Sequence, residues 1–251
     1  MKKLILLSVI YFQCLLLSAS VDSDIISKAN DAYTLNKFNN AIELYQKVIA
    51  GGYESSELYY NLGNCYFKIK NYASALLYYE KAKKLDPSNE KINFNIQVCN
   101  VRIIDKIEEL PRPFYKRWIE EFRYSFPMDV WAVSSVVFLF LFFFLMAVYL
   151  MANVMRTRKL SFWSGIIFLL VALVSGANAY SQYRGINNSN EGIVFEPTVN
   201  VKSSPDASSQ DLFVIHEGTK VKITDKVNNW IEVRIANGSD GWVNENTVER
   251  I

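Results

Sequence analysis

The sequence predicts a multidomain membrane protein that has α-helical hairpins, then two transmembrane helices, then a C-terminal all-β barrel. Two long apolar runs without charged residues, 130–155 and 160–183, lie in the middle of the chain. A 34-residue periodicity of small and aromatic residues precedes them. Short β-rich runs separated by polar turn residues follow them. The three patterns occupy separate segments, so the chain of 251 residues is predicted to be modular.

The composition restricts the function classes. The net charge is +2, which gives no general case for a nucleic-acid partner. One histidine and three cysteines do not form a metal-ligand pattern, and no Cys–His or Ser–His–Asp signature is present. We therefore expect no cofactor, no metal and no enzymatic activity.

Residues 1–20 resemble a secretory signal peptide. Lys2 and Lys3 precede an apolar run, and small residues end it with a cleavage point after Ser20. Retention of this segment as a third span is the alternative. Both interpretations place the following domain outside the cytoplasm.

Residues 21–110 are predicted to form helical repeats with a capping helix. The residues that recur at the 34-residue spacing are Ala29/Gly63, Ala32/Tyr66, Phe38/Tyr72, Ala41/Ala75, Tyr45/Tyr79 and Val48/Ala82. This pattern resembles the tetratricopeptide repeat (TPR) family, most closely over 56–89. Beyond Pro87, apolar residues at steps of three and four predict one long amphipathic helix from Ile92 to Leu110.

The TPR resemblance implies a groove for a peptide or helix, formed by the first helix of each repeat. The groove residues that it implies are Asn30, Tyr33, Tyr60, Asn64 and Phe67, with Phe94 and Val98 on the capping helix. Asn30, Asn61 and Lys91 also fall where some relatives hold a C-terminal carboxylate. Ile26 and Asn95 replace the cations of that clamp, which favours an ordinary solvated face instead.

Cys65 and Cys99 occupy equivalent positions on successive first helices. Neighbouring helix axes lie about 8–10 Å apart, whereas disulfide-linked Cα atoms lie within about 7 Å. This comparison favours two small core residues over a disulfide.

Residues 111–129 form a predicted interfacial amphipathic segment. Phe114, Trp118, Phe122 and Phe126 recur every four residues, and charged residues lie between them. A membrane interface suits such a helix, and packing against the repeat domain is the alternative.

The two apolar runs predict transmembrane helices 130–155 and 160–183, joined by a cytoplasmic connector 156–159. Neither run contains an Asp, Glu, Lys, Arg or His, which argues against an ion path and favours an anchor. Trp131 and Trp163 lie near the span ends, as interfacial anchors do. Both soluble domains are then predicted on the same, non-cytoplasmic side of the membrane.

After a linker, 184–190, residues 191–251 are predicted to form a small β-barrel with strands at 192–195, 199–202, 212–215, 220–224, 230–235 and 241–243. Val199–Pro205, Glu217–Val221, Trp230–Val233 and Gly241–Val243 resemble the motifs of bacterial SH3 domains. That resemblance implies a groove lined by Phe195, Trp230 and Trp242. Burial of at least one tryptophan in the core of so small a domain is the favoured alternative. His216 is expected to be a loop residue without a catalytic role.

The order of the modules, together with the stretch Asp211–Ile223, resembles the BatE family of the Bacteroidetes aerotolerance (Bat) operon. That resemblance implies a bacterial inner-membrane protein with both soluble domains in the periplasm. It also implies partners with von Willebrand A domains and, indirectly, a MoxR-type AAA+ ATPase. The leading hypothesis is a scaffold for protein–protein interaction in an aerotolerance or envelope-stress complex. The alternative is a sensor that binds cell-wall peptidoglycan through the SH3 domain.

Overall fold

The computed structural model describes residues 24–107, 110, 113–187 and 190–251. The predicted signal peptide, 1–20, lies outside these residues. The described chain divides into two compact units. One contains the helical repeats and the β domain, and the other contains residues 113–187.

Five helices form the N-terminal part of the first unit. They are α1 (24–34), α2 (Phe38–Ala50), α3 (Ser56–Lys68), α4 (Tyr72–Leu85) and α5 (Glu90–Asn100). Side-chain caps fix where several begin: Ser55 accepts a hydrogen bond from the Leu58 amide and Asn71 from the Ser74 amide. Asn36 and Lys70, which are 34 residues apart, both have positive φ in the turns after α1 and α3. The two helical hairpins therefore share one turn conformation.

The repeat residues pack as the 34-residue periodicity predicts. Ala29, Ala41, Tyr45 and Val48 of the first hairpin are buried in one cluster with Leu58, Leu62 and Cys65. Ala75, Tyr79 and Ala82 of the second hairpin are buried in the next cluster with Ile92, Ile96 and Cys99 of α5. Cys65 and Cys99 are free and buried, as favoured from their spacing.

The predicted long helix from Ile92 to Leu110 is wrong beyond Asn100, where α5 ends. Residues 101–107 are non-helical. Two of their apolar side chains approach the β domain instead: Ile107 lies against its buried core cluster and Ile103 lies at Gly218. Contacts with a distant part of the chain thus override a local helical periodicity.

The β domain is a seven-stranded antiparallel sheet in the order β3-β2-β6-β5-β4-β1-β7. The strands are β1 (Glu191–Val194), β2 (Thr198–Lys202), β3 (Asp211–His216), β4 (Lys220–Val227), β5 (Trp230–Arg234), β6 (Asp240–Asn244) and β7 (Val248–Arg250). Six strands lie where the sequence predicts them. The seventh, β7, was missed because Val248-Glu249-Arg250 contains one apolar residue and follows a short 3-10 turn.

The core of the β domain comes from alternate strand residues. Val199 and Val201 of β2, Val221 and Ile223 of β4, Ile231 and Val233 of β5, and Val243 of β6 are all buried. Residues between them point outward, as a period of two requires.

The second unit contains α6 (Phe114–Arg123), α7 (Met128–Met151) and α8 (Met155–Asn187). Helices α7 and α8 are long and apolar enough to cross a membrane. The Ser135 hydroxyl donates to the Ala172 carbonyl oxygen across them at 2.9 Å. The helical break lies at 152–154, whereas the predicted connector, 156–159, is helical. Arg and Lys are good helix formers and Asn is a poor one, which accounts for a break at Asn153.

Candidate interaction surfaces

The helical repeats and the β domain share a buried apolar interface. Ile193 of β1 and Ile251 belong to the same buried cluster as Leu76 and Leu77 of α4. Phe195 also packs against this cluster. The β domain is therefore docked on the second helix of the second repeat.

Charged side chains, of which Glu80 is buried, also contact each other at this interface. Lys220 Nζ lies 2.9 Å from Glu80 Oε2 on α4 and 2.9 Å from Glu191 Oε2 on β1. Burial by itself lowers the pKa of Lys220, but the two carboxylates outweigh it and the pKa lies above its ordinary value. Lys84 Nζ donates to the backbone oxygen of Ile251 at 2.9 Å. Burial and the nearby Lys81 lower the pKa of Lys84.

Asp105 forms a second polar contact between the two domains. Its Oδ2 accepts from the His216 backbone amide at 2.7 Å and from the Thr219 hydroxyl at 2.6 Å, while Oδ1 lies 2.7 Å from His216 Nδ1. Burial raises the pKa of Asp105, but these hydrogen bonds outweigh it, and the pKa is held below its ordinary value. The carboxylate is thus bonded in its ionised form.

The turn between β3 and β4 is shaped for this contact. Gly218 adopts φ +88, and a Cβ there would lie 2.5 Å from Cγ2 of Ile103. A glycine is needed both for the backbone conformation and for the close approach of the chain after α5. His216 is therefore an interdomain contact, a role that neither its position nor its neighbours in sequence indicated.

The predicted groove residues Asn30 and Asn64 form equivalent bonds. Each amide oxygen accepts from a buried tyrosine of the following helix, Tyr45 at 2.5 Å and Tyr79 at 2.7 Å. Burial raises the pKa of both phenols above the ordinary value, so each acts as a donor. These hydrogen bonds could have been found from the sequence, because both the Asn and the Tyr recur after 34 residues.

Asn95 of α5 joins the second of these pairs into a network. Its Nδ2 lies 3.1 Å from Asn64 Oδ1, 3.2 Å from the Tyr60 hydroxyl and 3.3 Å from the Tyr79 hydroxyl. The amide of Asn95 is thus engaged inside the repeat stack. Lys91 is exposed and Asn61 is half-buried on the same helices.

Aromatic side chains lie on the first helix of each repeat. Tyr33 packs edge-on against Phe38 with ring centroids 5.5 Å apart, and Phe67 packs on Tyr72 in the same way at 5.6 Å. Tyr33, Tyr60 and Phe67 remain half-exposed, and Phe94 is 63% exposed. Val98 is also half-exposed. The predicted groove residues therefore lie on three successive first helices, α1, α3 and α5.

The predicted SH3 groove is not brought together as one surface. Trp230 and Trp242 are half-buried, and neither belongs to the buried core cluster, so the favoured burial of one of them is wrong. Both lie on the outer face because Ile231, Val233, Gly241 and Val243 between and beside them point inward. Trp242 lies opposite Glu232 on β5 and Lys202 on β2. Phe195 is directed instead to the helical repeats.

Comparison with known families supports the two soluble modules. Residues 56–89 match the tetratricopeptide repeat and residues 197–249 match the bacterial SH3 domain. Among curated proteins, the SGT1 homolog of Oryza sativa subsp. japonica is 35% identical over 75 residues, 30% of this chain and 20% of that protein. Tetratricopeptide repeat protein 6 of Homo sapiens is 38% identical over 61 residues, 24% of this chain and 12% of that protein. The chain thus spans about a fifth or less of these relatives.

Two solved structures align with low scores. PcrH in complex with the chaperone-binding region of PopB has a TM-score of 0.32 and 11% identity, covering 66% of this chain and 94% of that chain. The Yersinia enterocolitica type III secretion chaperone SycD, in complex with a YopD peptide, has a TM-score of 0.31 and 18% identity, covering 61% and 93%. Such scores do not establish a shared overall fold.

The family matches show that the chain carries a tetratricopeptide repeat and a bacterial SH3 domain, and two long apolar helices lie between them in the sequence.

Proposed function

We propose that this protein is a membrane-anchored scaffold for protein–protein interaction, with the first-helix surface of its repeats as the partner site. The observation that carries the proposal is that successive first helices present exposed Phe94 and half-exposed Tyr33, Tyr60 and Phe67. The SH3 domain docks on α4 and on residues 101–107, so its described contacts leave these side chains available to a peptide or helix. The network through Asn95 bonds α5 to Tyr60 and Asn64 of α3 and to Tyr79 of α4. A preorganised surface loses less entropy on binding.

The neutral character of this surface restricts its ligand. Most of the side chains that line it are aromatic or amide groups, with the aliphatic Val98 and a single cation, Lys91, among the predicted residues. Asn95, at a position where the clamp has a cation, is bonded to Tyr60, Asn64 and Tyr79. A partner segment with apolar anchors therefore suits it better than an acidic chain terminus.

The experiment places a photo-crosslinking residue at Phe94 of the full chain in native membranes. Capture of one protein at Phe94, and no capture from Lys47 on α2, is the expected result. Phe94→Asp should abolish capture of the same protein by a crosslinker at Tyr33. Equal capture at Phe94 and Lys47 would reject the first-helix surface as a specific site.

The proposed location is the inner membrane of a bacterium, with both soluble domains in the periplasm. Two apolar helices of sufficient length and a bacterial SH3 domain support an envelope protein. A membrane-impermeant thiol reagent should label Lys68→Cys and Asn237→Cys in intact spheroplasts and leave Arg156→Cys unlabelled until the membrane is opened. The reverse pattern would reject the orientation.

The proposed biological setting follows the BatE resemblance. It consists of an aerotolerance or envelope-stress complex with von Willebrand A domain proteins and, indirectly, a MoxR-type AAA+ ATPase. Identification of the crosslinked species at Phe94 by mass spectrometry tests it, since a captured protein without a von Willebrand A domain would contradict this setting.

The scaffold is proposed to act without catalysis. Burial raises the pKa of the Cys65 and Cys99 thiols to about 12, so neither is an ionised nucleophile at neutral pH. The carboxylate of Asp105 and the ring of His216 bond to each other across an interdomain contact. Hydrolysis of peptidoglycan or peptide by the purified full chain would overturn this part of the proposal.

A second candidate function is binding of cell-wall peptidoglycan. The outward position of Trp230 and Trp242, with Lys202 and Glu232 beside Trp242, favours a carbohydrate or peptide ligand on that face. Saturable co-sedimentation of the detergent-solubilised full chain with purified wall material, lost in Trp242→Ala and kept in Val214→Ala, would support it. No sedimentation of the wild-type chain would exclude it.

A further inference from the structure

Helix α6 exposes an aromatic face that no described residue of its own unit covers. No residue of α6 is buried. Phe114 is 81% exposed and Trp118 is 75% exposed. Tyr115, Ile119 and Phe122 on the same side are also exposed. The opposite side carries charges of both signs, Lys116, Arg117, Glu120, Glu121 and Arg123.

The end of α6 is tied to the two long helices. Gln182 of α8 is buried and donates from Nε2 to the carbonyl oxygens of Arg123 at 2.6 Å and Phe126 at 3.1 Å. The indole Nε1 of Trp131 on α7 donates to the same Arg123 oxygen at 3.0 Å. These bonds satisfy carbonyl groups that a helix end leaves without partners. They also fix α6 at the level where α7 begins.

Aromatic contacts strengthen that attachment. The rings of Phe122 and Phe126 lie 5.5 Å and 5.4 Å from the ring of Trp131, measured between centroids. Trp131 is the buried residue of α7. A connection of only four residues, 124–127, separates α6 from the long apolar helix α7. The aromatic face is thus held next to the point where an apolar segment of membrane-spanning length starts.

The chemistry of the face selects its occupant. Tryptophan, tyrosine and phenylalanine prefer the boundary between headgroups and acyl chains, where an apolar ring and a polar edge are both satisfied. An amphipathic helix of this type sinks its apolar face about 5–10 Å into that boundary. Mixed charges on the other face remain hydrated. A lipid surface therefore fits α6 at the position where the structure holds it.

We propose that α6 lies in the membrane interface and binds lipid through Phe114, Tyr115, Trp118 and Ile119. This inference rests on the proposed membrane anchoring of α7 and α8. Gln182 and Trp131 are positioning residues, because they set the height of α6 through the Arg123 carbonyl oxygen. The protein then touches the bilayer with a surface helix as well as with its two spans.

The test uses spin labels on the full chain in vesicles of phosphatidylethanolamine and phosphatidylglycerol. Labels are placed singly at Tyr115→Cys, Lys116→Cys and Phe140→Cys in a Cys14→Ser background. Cys65 and Cys99 are buried and stay unlabelled. Accessibility to oxygen, which dissolves in acyl chains, is compared with accessibility to a water-soluble nickel chelate.

The expected result is a several-fold higher ratio of oxygen to nickel accessibility at Tyr115→Cys than at its neighbour Lys116→Cys. A label at Tyr115→Cys that meets nickel as freely as Lys116→Cys places the face in water and overturns the proposal. A label that neither reagent reaches places it against protein and also overturns it. Phe140→Cys on α7 separates failure of the surface-helix proposal from failure of the membrane anchoring, because nickel accessibility there would reject the membrane spans themselves.

Discussion

Asp105 and His216, 111 residues apart in the chain, are joined by two contacts of 2.7 Å, one to the backbone amide and one to the ring Nδ1. The first residue follows the last helix of the repeats, and the second ends strand β3. The segment after α5 thus connects two domains instead of extending the helix. Together with the apolar contacts of Ile193 and Ile251, this pair joins the helical repeats and the β domain within one compact unit.

Asp105→Asn should lower the free energy of unfolding of this unit by about 1–3 kcal/mol, because hydrogen bonds to a charged acceptor are lost or weakened. Denaturation of the full chain in detergent, followed by tryptophan fluorescence, measures the change. Asp31→Asn, at an exposed position on α1, is the control and should have little effect. Equal stability of Asp105→Asn and wild type would show that the contact does not stabilise the unit.

The same carboxylate predicts a pH dependence. The pKa of Asp105 is lower in the folded state than in the unfolded state. Its ionised carboxylate therefore stabilises the fold at pH values above the unfolded pKa, and this stabilisation is lost as the pH falls through the folded pKa. Between about pH 5 and pH 2, wild type should lose more stability than Asp105→Asn. Denaturation midpoints across that range measure it. Parallel pH profiles for the two proteins would contradict the prediction.

Substitutions at Lys220 and Glu80 should have non-additive effects on the free energy of unfolding. Glu80 is buried, so Lys220→Met leaves its carboxylate without its ammonium partner, whereas the double variant with Glu80→Gln removes both charges. We expect a double-mutant cycle to give an interaction energy of about 0.5–3 kcal/mol. Unfolding free energies of the four proteins supply the cycle. Additive effects would mean that the ion pair does not contribute to docking.

Gly63→Ala should destabilise the repeats although alanine is the better helix former. A Cβ at residue 63 would lie 2.7 Å from Cδ1 and Cε1 of the buried Tyr79 ring. Overpacking of about 1–3 kcal/mol should exceed the helix-propensity gain of about 1 kcal/mol. Loss of helical circular dichroism on heating measures it, with Lys68→Ala on the exposed side of α3 as control. An unchanged or raised midpoint would reject the tight contact.

Tyr79→Phe should cost more stability than Tyr45→Phe. Both hydroxyls donate to the asparagine 15 residues before them, but the Tyr79 hydroxyl also lies 3.3 Å from Asn95 Nδ2. Loss of one hydrogen bond costs about 1 kcal/mol, so removal of a hydroxyl that makes two bonds should cost more than removal of one that makes a single bond to the exposed Asn30. Thermal unfolding of the two variants gives the order, and a larger loss for Tyr45→Phe would reject the role assigned to Asn95.

The periodic parts of this fold were predictable because they depend on local sequence. The 34-residue spacing identified both hairpins, and Tyr45 and Tyr79 are buried as it requires. Alternation of apolar residues located six of the seven strands. The outward position of Trp230 and Trp242 was harder to predict. The small size of the domain favoured burial of a tryptophan, whereas the register of β5 and β6 places both on the outer face.

By itself the sequence determined the repeat and SH3 modules, their order and most of the residues that face each local core, since periodicity is a property of a single segment. Only the tertiary structure decided how Asp105, His216 and Thr219 meet, where Lys220 finds Glu80, and why α5 stops at Asn100. Those contacts join residues far apart in the chain. Their energies depend on burial and distance, which no local pattern contains.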